Sequence, residues 1–179
     1  NMTENSKLKH IIVDGKKLRV GVAVAEFNGD ITEELLKGAL CELHAQGVAE
    51  KNIAVRHVPG SFELPLACQK LAETKKYDAL IALGCVIKVE TDHYYYVAGE
   101  AARGIMNVQL KFSIPIGFGV LTTDTLKQAE ERSGKVGNAG AGAAAERSFG
   151  VGVGPAGALG RDGDAAAERA ELVEMGGEV

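Results

Sequence analysis

Four short apolar runs, rich in β-branched residues and separated each time by a stretch long enough for a helix, constrain this chain more than any other feature. They cover residues 18–25, 53–58, 79–87 and 116–121, and runs that are apolar at both alternating positions mark strands covered on both faces. Residues 31–46 place Ile31, Leu35, Ala39, Leu40 and Leu43 on one helical face, with Gly47 where a glycine ends a helix. Residues 62–75 and 97–112 are patterned alike, and Thr123 or Asp124 is placed to cap a fourth helix reaching about Arg132. Strands joined through helical crossovers pair in parallel. The expected fold is therefore α/β, a three-layer α/β/α sandwich around a parallel four-stranded sheet. Residues 9–13 read equally as a further short strand or as an unstructured start.

The chain has 179 residues, 46% hydrophobic and 25% charged, enough to bury one sizeable core. A net charge of −4 offers no general attraction to nucleic acid or anionic lipid, so neither is expected as a partner. Cys41, Cys68 and Cys85 lie in apolar stretches without paired spacing, which predicts reduced core thiols and no metal site. No apolar run approaches the length of a membrane span and the first residues are polar, so a cytoplasmic setting is expected. Beyond Asn138 glycine and alanine dominate. The expected division is an α/β domain over residues 1–138 and a tail over 139–179, without order at 150–163 and with a weak helix at 165–175.

In an open parallel sheet, ligands bind beyond the carboxyl ends of the strands, and each run here delivers polar or aromatic residues at that end. The first is followed by Glu26, Phe27 and Asn28; the second by Pro59, Gly60, Ser61, Phe62 and Glu63. The third is followed by Lys88, Glu90, Thr91 and His93; the fourth by Thr122, Thr123 and Asp124. Phe27 offers a flat face to a heterocycle, Asn28 both donates and accepts, and Ser61 with Glu63 suits hydroxyl groups. Thr91 and nearby backbone N–H groups at a helix start suit an anion, and His93 suits proton transfer near neutral pH. Ordinary readings stand beside these. Asn28, Gly29 and Asp30 also read as a turn with a helix cap, Ser61 as a cap, Glu63 as a complement to a helix dipole, and Arg132 as a solvated helix-end charge. His10, His44 and His57 read as structural or exposed, without acid partners at useful spacing.

Five stretches in order carry a resemblance: AEFNGDIT with LLKGAL, VPGSFELPLA, YDALIALGCVIKVETDHYYYV, IPIGFGVLTTDT and QAEERSGKVGN. Together they resemble the lumazine synthase family across residues 18–138. The resemblance implies a flavodoxin-like sandwich that assembles as pentamers, in some members as shells of twelve pentamers. It implies condensation of 5-amino-6-ribitylaminouracil with 3,4-dihydroxy-2-butanone 4-phosphate to give 6,7-dimethyl-8-ribityllumazine, the penultimate step of riboflavin biosynthesis, with neither metal nor organic cofactor. It further implies that Phe27 stacks on the pyrimidine, that Asn28 and the backbone around Val86 and Ile87 meet its edges, and that Ser61 and Glu63, flanking Phe62, bind the ribityl chain. His93 would transfer protons, Glu90 and Thr91 would meet the phosphate, and Arg132 and Phe118 would come from the adjacent subunit.

Three departures stand out. The family's usual Arg-Gly pair before the phosphate-binding threonine reads Lys88-Val89, an acidic residue common two places after the histidine reads Tyr95, and the final amphipathic helix gives way to the glycine-rich stretch. The alternative reading is a non-catalytic shell-forming or flavin- or pyrimidine-binding scaffold derived from the family.

Overall fold

The computed structural model of the chain describes residues 15–134 and 137–145. In order these form β1 (Val20–Ala25), α1 (Gly29–Ala45), β2 (Ile53–Val58), α2 (Leu64–Glu73), β3 (Ala79–Ile87), α3 (His93–Phe112), β4 (Ile116–Thr123), α4 (Leu126–Ser133) and α5 (Ala139–Ala144). Short 3-10 turns fall at Gly15–Lys17, Glu50–Asn52 and Ser61–Glu63. All four strands pair in parallel in the order β2-β1-β3-β4, and helices cover both faces, as the alternating runs predict. Residues 9–13 and the expected features at 150–163 and 165–175 lie outside the described residues. No helix among the described residues is long and apolar enough to cross a membrane.

The layers follow from residue alternation. Val20, Val22 and Val24 of β1 join Ile81 and Leu83 of β3 on one face, where Ile31, Leu35 and Leu43 of α1, Ala129 of α4 and Ala143 of α5 close over them. Ala23, Leu80 and Ala82 point the other way, against Leu64, Cys68 and Leu71 of α2 and Ile105 and Val108 of α3. Leu35 and Leu43 are wholly buried, each contributing roughly 2 kcal/mol through the apolar surface it removes from water. The chain steps from β1 to β2 on one side and from β2 to β3 on the other, so α1 and α2 take opposite faces.

Two boundaries differ from the sequence expectation. Helix α3 begins at His93, not at residue 97, because Tyr94 packs against the α2–α3 core and draws the tyrosine run into the first turns. The cap of α4 is Thr125, whose hydroxyl accepts from Gln128 N, and not Thr123 or Asp124. Thr123 is still in the sheet, opposite Ile87, with its carbonyl accepting from Lys88 N at 2.8 Å.

The packed body continues past the expected boundary at 138. Asn138 caps α5 by accepting from Ala141 N at 3.0 Å, while its Nδ2 donates to Glu34 O at 2.9 Å and Ser133 O at 2.7 Å. Helix α5 then lies so close to α1 and β4 that a Cβ at Gly140 would strike the Leu35 carbonyl, and one at Gly117 the Ala143 carbonyl. Glycine and alanine at these places permit backbone-to-backbone packing, which is why the segment carries so few large side chains.

Asn138→Ala is expected to lower stability by about 1–3 kcal/mol, because it removes a cap and leaves backbone partners unpaired. A chemical denaturation midpoint equal to that of the unsubstituted chain would contradict this role of Asn138. Burial also pushes the Cys68 thiol up to about 12 and the Cys85 thiol to about 11, from an ordinary value of 9.0. Ionisation of these thiols thus favours the unfolded chain once pH passes 9.0, so stability should hold below that value and fall as pH rises towards 11. A disulfide reagent at neutral pH should modify exposed Cys41 rapidly and Cys68 and Cys85 only after unfolding; rapid reaction of all three would contradict the buried placement.

Candidate functional site

The sheet order reverses between β1 and β3, and at such a switch point the connections leave to opposite faces and open a crevice beyond the strand ends. The first wall comes from β1. Its pairing with β2 runs on past the strand through Glu26 N to Val58 O at 2.8 Å and Phe27 N to Pro59 O at 3.0 Å. Phe27 therefore emerges rigidly held by its backbone, yet its side chain is 70% exposed. An aromatic ring so held and so open is an apolar surface in want of a cover.

Asn28 sits at φ 59, ψ 46, the left-handed region that asparagine tolerates better than most residues. Its carbonyl accepts from Ile31 N and Thr32 N to start α1. Its side chain makes no cap; instead Nδ2 donates to Cys85 O on β3 at 2.9 Å, bridging the crevice. One of the two amide N–H donors is thereby committed to the protein, leaving the second and Oδ1 free for other partners. Sequence pattern alone points to Asn28 but not to this tether, which joins residues 57 positions apart.

The second wall follows β2. Ser61 is buried, seated over Gly84 of β3, where a Cβ would come within 2.5 Å of Ser61 Oγ. Glu63 folds back over Gly60 and, like Gly60 ahead of it, makes no side-chain cap. Neither the Ser61 nor the Glu63 side chain hydrogen-bonds any described residue, so the cap reading of Ser61 gains no support. Phe62 between them is 57% exposed.

The third wall is the connection from β3 to α3. Glu90 and Thr91 are exposed in it, and His93 opens α3, exposed and without a hydrogen bond to any described residue. Val89 has no left-handed φ, so the residue that replaces glycine is accommodated without backbone strain.

Two candidate residues stand apart. Phe118 lies in mid-β4 opposite Ala82, five residues before Thr123, and so roughly 16 Å from the carboxyl end of the sheet at about 3.3 Å per residue. Arg132 is exposed on the last turn of α4, its guanidinium donating to Gln128 O of its own helix at 2.9 Å. Both are exposed on their own chain. His44 and His57 each meet a carboxylate, Glu50 at 2.8 Å and Glu33 at 3.2 Å, which corrects the expectation that they lack acid partners. These are exposed pairs of small energetic consequence. His10 lies outside the described residues. Among the described residues no cluster of three or more His, Cys, Asp or Glu side chains is arranged to hold a metal.

The connections that follow β1, β2 and β3 thus carry an exposed aromatic ring, a buried hydroxyl beside a carboxylate, and an exposed loop leading to an imidazole. The sequence segment that builds all of it lies inside residues 17–147, which match the family model described as 6,7-dimethyl-8-ribityllumazine synthase, and the chain belongs to that family.

Proposed function

We propose that this chain condenses 5-amino-6-ribitylaminouracil with 3,4-dihydroxy-2-butanone 4-phosphate to give 6,7-dimethyl-8-ribityllumazine, releasing phosphate and water. The observation that carries the reading is the exposed Phe27 ring after β1 at the switch point, with Ser61 and Glu63 following β2 and His93 following β3, in a member of this family. In this reading the pyrimidine stacks on Phe27, meets Asn28 Oδ1 and the Val86–Ile87 main chain at its edges, and extends its ribityl hydroxyls toward Ser61, Phe62 and Glu63. The phosphate lies against Glu90 N–H and Thr91. An amine and a carbonyl held face to face react mainly through orientation, and His93 moves protons as the imine forms, phosphate leaves and the ring closes.

The same reading requires a neighbour. In this reading, as in the family the chain belongs to, a second subunit supplies Phe118 to cover the ring and Arg132 to hold the phosphate, and both are exposed on their own chain. Leu66, Met106 and Leu110 are also largely exposed on the α2–α3 layer, a further apolar surface suited to self-association. The assembly we propose is the pentamer, with a shell of twelve pentamers as its larger form.

Mixing both substrates with the protein should produce lumazine, followed by absorbance and fluorescence, and His93→Ala should lower kcat about 10²-fold while leaving pyrimidine affinity unchanged. No product from the unsubstituted chain would overturn the enzyme reading in favour of a non-catalytic scaffold, and an unaltered rate in His93→Ala would remove that residue from the chemistry. Arg132→Ala should weaken the phosphorylated substrate far more than the pyrimidine. Co-refolding the two variants in equal amounts should then restore about a quarter of the sites, since a shared site needs His93 from one subunit and Arg132 from the next. Absence of any recovery would place both residues in one chain's site.

A further inference from the structure

Two of the three departures from the family pattern touch each other. Lys88 Nζ lies over the Tyr95 ring, 5.2 Å from its centre. Tyr95 in turn packs edge-on against Tyr94, ring centres 5.3 Å apart at 86°, and Tyr94 is seated on the α2–α3 core. A line of contacts therefore runs from the core through Tyr94 and Tyr95 to Lys88, closing a bracket over residues 89–93.

That segment has little else to hold it. Its start is fixed by Lys88 N donating to Thr123 O at 2.8 Å, and its end by Tyr95 N donating to Asp92 O at 3.0 Å. Between them Val89, Glu90, Thr91 and Asp92 are exposed, and the Asp92 side chain does not cap α3. We propose that Lys88 and Tyr95 act as a positioning pair, a strap that sets the loop so that Thr91 and His93 face the crevice together. The loop's link to phosphate and proton transfer rests on the function proposed above; the strap itself does not. The Tyr95 hydroxyl, and then Asp124, hold the Lys88 ammonium above the ordinary lysine value of 10.5, so the charged form that makes the strap is present below that value and is lost as pH rises past it.

Hydrogen exchange of the 88–95 amides tests the strap without reference to activity. Lys88→Met and Tyr95→Leu should each speed exchange by about two- to five-fold, the range an exposed cation–π contact supports. The double variant should exchange no faster than either single one, and Lys88→Arg should match the unsubstituted chain. Unchanged exchange in the single variants, or additive effects in the double, would overturn the pair. In the condensation assay both single variants should lose about five-fold in kcat/KM for the phosphorylated substrate, with pyrimidine KM unchanged. Faster exchange with unaltered kinetics would reduce the strap to a structural contact. A silent unsubstituted enzyme would instead sink the proposed function and leave exchange to decide the strap.

Discussion

The hydrogen bond from Asn28 Nδ2 to Cys85 O ties together the two strands between which the sheet reverses direction. Parallel strands are linked only by long crossovers, so their ends beyond the last ladder bond are free to splay unless a side chain spans them. Asn28 does so from a left-handed backbone position that also turns the chain into α1. One residue thereby links the exit of β1, the start of a 17-residue helix and the main chain of β3. Phe27 before it is presented outward because the backbone on both sides is held. The asparagine's strain is compensated by the two backbone bonds its carbonyl makes to α1 and by the tether to β3.

A second constraint operates where α5 meets α1 and β4. Helix α5 contributes almost no side-chain volume, so its hold on the fold comes from close backbone approach at Gly140 and Gly117 and from the three hydrogen bonds of Asn138. Such packing tolerates no enlargement at these places, whereas the aliphatic contacts of α1 can be repacked by residues of similar volume. On the face that α1, α4 and α5 share, side-chain interdigitation under α1 and α4 is thus joined by glycine-mediated contact at α5.

Much of the fold was legible in the sequence because strands buried on both faces need uninterrupted apolar runs, and residues 53–58 and 79–87 coincide with β2 and β3. The residues that close each strand were legible for the same reason: where an apolar run stops at a carboxyl end, Phe27, Ser61, Glu63, Thr91 and His93 follow. What was not legible depends on contacts between distant segments. The β2-β1-β3-β4 order, the Asn28–Cys85 tether and the seat of Ser61 over Gly84 leave no periodic trace. Composition was misleading at α5, where glycine density that disfavours an isolated helix permits a packed one. The early start of α3 was hidden because tyrosines have weak helix propensity, and it is the packing of Tyr94 that decides the matter.

The function proposed for this chain requires the crevice of one chain to be completed by Phe118 and Arg132 of another. Phe118 and Arg132 are both exposed on their own chain, and Phe27, Leu66, Met106 and Leu110 add further exposed apolar surface. The mass of the intact particle in solution tests this most directly. At micromolar concentration the account predicts five chain masses or a multiple of five, each chain contributing 18.8 kDa; a stable single-chain particle would contradict the shared site.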